Sequence, residues 1–549
     1  MHVDRFLRIS RNYLCALPGA LSSDIAAPIA SYLASAFPRV PSRLAPVAAA
    51  ALLTLAIAGG TATAAHAQVA TTQAVPSQVD PVPSASASAS ASASASASAT
   101  SDAAKAPQAD GAPQGLGDRP TLFGDMGGLR TLLGDRGVTL NLQETSEAFG
   151  NFSGGTKRGL AYDGATQFGL SVNTDKAVGL KGGQFFVDAL QIHGHGITAS
   201  HLSALQSVSG VEAEPTTRLW ELWYQQSFGD ACDVRLGQQS LDQEFIVSQY
   251  ANTFLNATFG WPVLPAADLP AGGPAYPLSS LGVRARYKVS DAATMLGGVF
   301  DGNPAPGVGD PQKLNGSGTR LNVHDGALFI GELQYAIGQS PAGGTGSGVS
   351  SGQTSHVLPG TYKLGFWYDS ARFADQREAT NGLSLADPAS SGMPRMRHGD
   401  FSVYGIADQM VWRPSPDSAR SVGVFARVMG APGDRNAVDF SANAGVVLKA
   451  PFAGRDNDSV GLALGYADIG SHASAFDRDV GALTTPNYPV RTAETVVEAT
   501  YQYQVAPWWL VQADFQYFFR PGGGVPNPNA GGARIGNEAV AGARTVLTF

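Results

Sequence analysis

The sequence predicts an all-β fold: a transmembrane antiparallel β-barrel of about sixteen strands, preceded by an N-terminal signal peptide and a disordered linker. Three observations carry this. Mean hydropathy is −0.03, too polar for a bundle of apolar helices; Gly reaches 66 residues and charged residues are only 15% of the chain. From Gly137 onward, apolar and polar residues alternate with period two over many short segments. The links between those segments are alternately short and long, as in barrels with tight periplasmic turns and long external loops.

The N-terminal elements come first. Ala45–Ala58 is an apolar run of signal-peptide length, preceded by Arg39 and Arg43 and followed by Ala65-His66-Ala67, a small-x-small cleavage site. Residues 1–67 are therefore expected to be a removed leader, although Met1–Phe37 is long for its charged part. Residues 68–115 form an Ala-, Ser- and Pro-rich linker containing eight Ser-Ala repeats at 84–99. Such a segment lacks the large apolar side chains needed to offset chain entropy. Residues 116–137 make a short periplasmic segment, and 138–549 the barrel. Cys15 falls in the leader, so no internal disulfide is expected in the mature chain. The net charge of −8 argues against nucleic acid as a partner, because phosphate binding needs a basic surface.

Strands are expected near 138–149, 160–173, 182–193, 218–228, 233–239, 280–289, 293–301 and 323–337. Eight more fall near 361–372, 401–412, 421–429, 439–449, 459–468, 492–504, 508–519 and 537–549. Within 281–289, Val283, Ala285, Tyr287 and Val289 share one face while Arg284, Arg286 and Lys288 share the other. Three cations on one face line water in a barrel lumen. Tyr362, Leu364, Phe366 and Tyr368 likewise oppose Lys363, Trp367 and Asp369. An even strand number puts both chain ends on the periplasmic side. The 338–360 connection breaks the alternation, being long where a tight turn is due. Phe549 ends an alternating strand and resembles the signal read by the outer-membrane assembly machinery.

Several strings are similar to one family. They are Leu122–Arg130 (LFGDMGGLR), Arg218–Gln226 (RLWELWYQQ), Leu236–Phe245 (LGQQSLDQEF), Phe254–Pro262 (FLNATFGWP) and Tyr276–Arg284 (YPLSSLGVR). Phe300–Pro304 and the end from Trp508 agree as well. In order and spacing the chain resembles the carbohydrate-selective porins of the OprB family over roughly 120–549. Met126 departs from the pattern, where the family commonly has Trp, and residues before 115 have no counterpart. The resemblance implies a sixteen-stranded outer-membrane barrel, passive uptake of monosaccharides such as glucose, and no cofactor.

Strand parity assigns pore-lining positions to Glu144, Glu221, Trp223, Gln225, Arg235, Arg284, Arg286 and Glu332. Aromatic faces stack on pyranose rings, and carboxylate, amide and guanidinium groups replace hydroxyl hydration. The connection 240–279 is long and full of bulky groups, which argues against disorder. It is expected either to fold inward as a constriction, with Glu244, Phe245, Asn256, Phe259 and Trp261, or to pack on itself as an outer cap. His193 and His195 have metal-compatible spacing, but no Cys or paired carboxylate completes a shell, so no metal is expected. The partners expected are small sugars and outer-membrane lipid. The alternatives are a general or anion-leaning porin, an outer-membrane barrel hydrolase, and an adhesion barrel.

Overall fold

The computed structural model describes residues 115–338 and 357–549. The leader, the linker up to residue 114 and most of the 338–360 connection lie outside the described residues. Among the described residues, sixteen antiparallel strands close into one barrel, each paired with its neighbours in sequence and β1 with β16. In order they are β1 Val138–Ser153, β2 Gly159–Asn173, β3 Gly183–Gly194, β4 Thr216–Phe228, β5 Cys232–Gln239 and β6 Ser280–Lys288. Then come β7 Ala293–Asp301, β8 Ala327–Ile337, β9 Gly360–Ala379, β10 Pro394–Trp412 and β11 Ser421–Gly430. The last five are β12 Val438–Lys449, β13 Ser459–Ile469, β14 Ala493–Ala506, β15 Trp509–Phe519 and β16 Glu538–Thr548.

Alternation along the strands sorts side chains between two solvents. Leu462 and Leu464 of β13 lie exposed on the outer wall, as do Tyr362 and Tyr368 of β9, while Ala463, Ala467, Trp367 and Asp369 are buried inside. β9 and β10 are longer than the alternation indicates. Their ladder continues through Arg372↔His398 and Ala374↔Met396, with register shifts between His398 and Asp400 and between Pro394 and Met396. Beyond the lipid no apolar face is required, so the period-two signal fades while the pairing persists.

The segment 116–137 lies across the β1–β16 seam at the end where β1 begins and β16 finishes. The Leu122 N–H donates to the Thr548 carbonyl at 2.8 Å. Phe123 packs on Phe549 with ring centroids 5.2 Å apart. Arg130 donates to the Leu140 carbonyl and to Phe549.

Candidate functional site

Two external connections fold into the lumen and set its geometry. The 240–279 connection leaves β5, crosses to the opposite wall and returns to β6, so the inward alternative is the one observed. Its Leu255 and Asn256 N–H groups donate to Glu498 of β14. Asn256 Nδ2 donates to Gln516 of β15 at 2.9 Å. Ser248 and the Gln249 N–H donate to Asp408 of β10. Arg427 of β11 is buried, and its guanidinium donates to the Ile246 carbonyl at 2.9 Å, the Gly260 carbonyl at 3.0 Å and the Thr258 carbonyl.

Burial holds the loop as firmly as these bonds. Leu241, Phe245, Ile246, Trp261, Val263 and Leu264 pack with Leu328, Ile330, Trp367, Tyr404 and Met429 of the wall. Tyr250, Phe254 and Phe259 pack on Phe425, Val447 and Ala463. Each large side chain removed from water contributes about 1.5–3 kcal/mol. Ile246 has φ 64°, costly for a β-branched residue. Glu332 accepts from its N–H at 2.9 Å and Arg427 donates to its carbonyl, fixing that backbone from both sides.

The wall is cut to receive the loop. On β13, Gly461, Ala463, Gly465 and Ala467 face inward between large outward residues. A Cβ on Gly461 would sit 2.7 Å from the Phe254 ring, and one on Gly423 of β11 2.0 Å from that of Tyr250.

The second inserted connection, 195–215, was not singled out by sequence reasoning. The Leu205 and Gln206 N–H groups both donate to Glu494 at 2.8 Å, and Gln516 donates to the Val208 carbonyl at 2.7 Å. It pairs with the first loop through Gly210 N–H to Leu255 and Ala257 N–H to Ser207. Its short, small side chains, as in Ser207-Val208-Ser209-Gly210, give little sign of a buried role. Burial pushes the carboxyl of Glu212 in this loop up to about 8, against the opposing pull of its hydrogen bonds from Thr198. Burial likewise raises that of Asp242, in the first loop, to about 6.

On the β4–β6 wall stands a ladder of alternating charge. Arg286 donates to Asp233 at 2.6 Å, and Asp233 also pairs with Arg284. Arg284 donates to Glu244 of the loop at 2.6 Å, and Arg235 pairs with Glu244 at 3.3 Å. Arg235 also donates to Gln225 at 3.0 Å, and its guanidinium lies 3.9 Å above the Trp223 ring. The Arg286 side chain is 54% exposed, that of Glu244 25% and that of Arg235 14%. Asp233, which holds two of the three guanidiniums, was missed at the sequence level although it shares the inward parity of Arg235.

Several assignments require correction. Glu144 does not face the lumen: the inner face of β1 carries Thr145, Glu147, Phe149 and Asn151, all buried. Glu144 stands on the outer face with Ser146, 3.4 Å from His193, and accepts from Ser146 at 2.9 Å. Trp223 offers no free stacking face, since Arg235 covers it and Phe186 packs with a ring-centroid distance of 4.9 Å. Glu221, Arg284 and Glu332 are inward but buried. Glu221 accepts the Ser240 N–H at 2.9 Å, and Glu332 accepts from Tyr404 at 2.9 Å and Gln334 at 2.7 Å. Phe245, Asn256, Phe259 and Trp261 are likewise buried in the body of the loop. Among the described residues, no three His, Cys, Asp or Glu side chains form a group that could hold a metal.

Comparisons with known proteins agree with this architecture. Residues 157–549 match the family described as carbohydrate-selective porin, OprB family. Porin B of Pseudomonas aeruginosa is 28% identical over 433 residues, covering 73% of this chain and 87% of its own. A solved high-pH structure of Pseudomonas putida OprB superposes with a TM-score of 0.66 at 23% identity, covering 79% of this chain and 100% of that one.

Proposed function

Because this chain belongs to the carbohydrate-selective porin, OprB family, and is thereby a sugar channel of the bacterial outer membrane, we propose that its pore favours monosaccharides and reads them at the β4–β6 ladder. The ladder is the observation that carries this reading. Its accessible members, Arg286, Glu244, Arg235 and Gln225, offer donors and acceptors side by side, the complement of a ring of hydroxyls. Asp233 and Glu244 between them neutralise two of the three guanidiniums, so the ladder keeps a formal charge of +1 with every ion paired, and paired ions suit an uncharged polyol. The inserted loop fills the opposite side and leaves the narrowed passage along this wall. Passage is passive diffusion with no cofactor and no catalytic step. Phe549 is read by the assembly machinery before the 116–137 segment covers it.

Swelling of vesicles containing purified protein tests this. Glucose is expected to enter faster than sucrose, and gluconate slower than glucose. Gluconate faster than glucose would make this an anion-leaning pore, and no swelling with any solute would remove the channel reading altogether.

A further inference from the structure

We propose that Asp268, Asp400 and Asn436 form a binding site for one calcium ion that pins the inserted loop to the outer end of the wall. Asp268 closes the short loop helix Val263–Asp268, Asp400 lies on β10, and Asn436 sits in the connection between β11 and β12. The three are held together by bonds that use only half of their polar atoms. Asn436 Nδ2 donates to Asp400 Oδ1 at 3.0 Å. The next two N–H groups of the same connection, Ala437 and Val438, donate to Asp268 Oδ1 at 3.0 and 3.2 Å.

What remains is a set of acceptors. Asp268 Oδ2, Asp400 Oδ2 and Asn436 Oδ1 are all buried and without a hydrogen-bond partner. Asp400 is 0% exposed, Asn436 1% and Asp268 8%. Asp400 is also directly opposite another buried carboxylate, Asp369 of β9, whose Oδ2 is bare too. Opposed like charges destabilise a strand pair. Among the described residues, no Lys, Arg or His makes an ion pair with Asp268, Asp369 or Asp400. The neighbouring Arg435 guanidinium is turned to Asp434 and to the Gly399 carbonyl.

Buried acceptors of net negative charge need a donor or a cation, and oxygen-only donors of this kind suit a hard divalent ion. Two carboxylates and one amide oxygen balance a charge of two. With only two acidic ligands, water fills the remaining positions of a six- to eight-coordinate shell. The competing state is a shared proton: burial and the nearby Asp400 hold the Asp268 carboxyl well above its ordinary range.

The two states separate in a titration of the full purified chain in detergent, stripped with chelator and then given calcium chloride. The proposal predicts one saturable calcium per chain and a melting temperature that rises with calcium. Asp400→Asn and Asp268→Asn should each weaken binding by about tenfold or more, whereas Asp387→Asn, on an external loop, should bind as the wild type does. Before calcium is added, Asp400→Asn should melt no lower than the stripped wild type, because it removes an uncompensated charge. It should then gain nothing from calcium. No saturable binding by the wild type, or undiminished binding by both Asn variants, overturns the site.

Discussion

On the β4–β6 wall, Arg235, Arg284 and Arg286 pair with Asp233 and with one loop carboxylate, Glu244, and part of each exposed group still meets the lumen, while Glu221 alone turns to a loop N–H, that of Ser240. On the wall from β8 round to β14, inward carboxylates of the same kind are spent on the backbone of the inserted loops: Glu332 on Ile246, Asp408 on Gln249, Glu494 on Leu205 and Gln206, Glu498 on Leu255 and Asn256. Inward parity therefore assigns a residue to the lumen but does not say whether it meets solute or holds structure. A loop that enters a barrel brings unpaired N–H and C=O groups with it, and these must be satisfied where water is scarce. The far wall supplies the missing partners.

Four substitutions sharpen that contrast. The largest effect is expected at Arg427→Met, which leaves the carbonyls of Ile246, Thr258 and Gly260 without their donor. At about 1–3 kcal/mol for each orphaned acceptor, the loss is several kcal/mol, read as a lower unfolding temperature together with raised conductance. Gly461→Leu comes next: the side chain would occupy the Phe254 site and displace the loop, costing about 1–3 kcal/mol by overpacking and giving noisy, heterogeneous single-channel currents. On the ladder, Arg286→Ala should change glucose flux several-fold while stability stays within about 0.5 kcal/mol, since exposed pairs add little. A melting shift there as large as that of Arg427→Met would erase the distinction between the walls. Smallest of all is Glu144→Gln, on the outer face, which should leave conductance and sugar selectivity as in the wild type.

Much of this was legible in the sequence. All sixteen strands are readable because lipid and water impose opposite demands on alternate residues, and β6 shows it plainly, with Val283, Ala285 and Tyr287 against Arg284, Arg286 and Lys288. The bulk of Phe245, Phe254, Phe259 and Trp261 marked 240–279 as a packed loop but left its direction open. The wall held the answer: Gly461, Ala463, Gly465 and Ala467 alternate small with large rather than polar with apolar, the sign of a face packed by something else. Glu144 was misplaced because Gln143 to Glu147 is polar on both faces. The phase is carried by Leu140 and Leu142, which share the parity of Glu144 and put it outside. The 195–215 loop stayed hidden because it enters on small residues whose burial depends on the other loop.

Single-channel conductance of a variant lacking residues 246–260 decides whether the inserted loop narrows the pore. With the loop's span to the far wall removed, conductance should rise several-fold over the intact chain and discrimination between glucose and sucrose should fall. A conductance equal to or below that of the intact protein would contradict it.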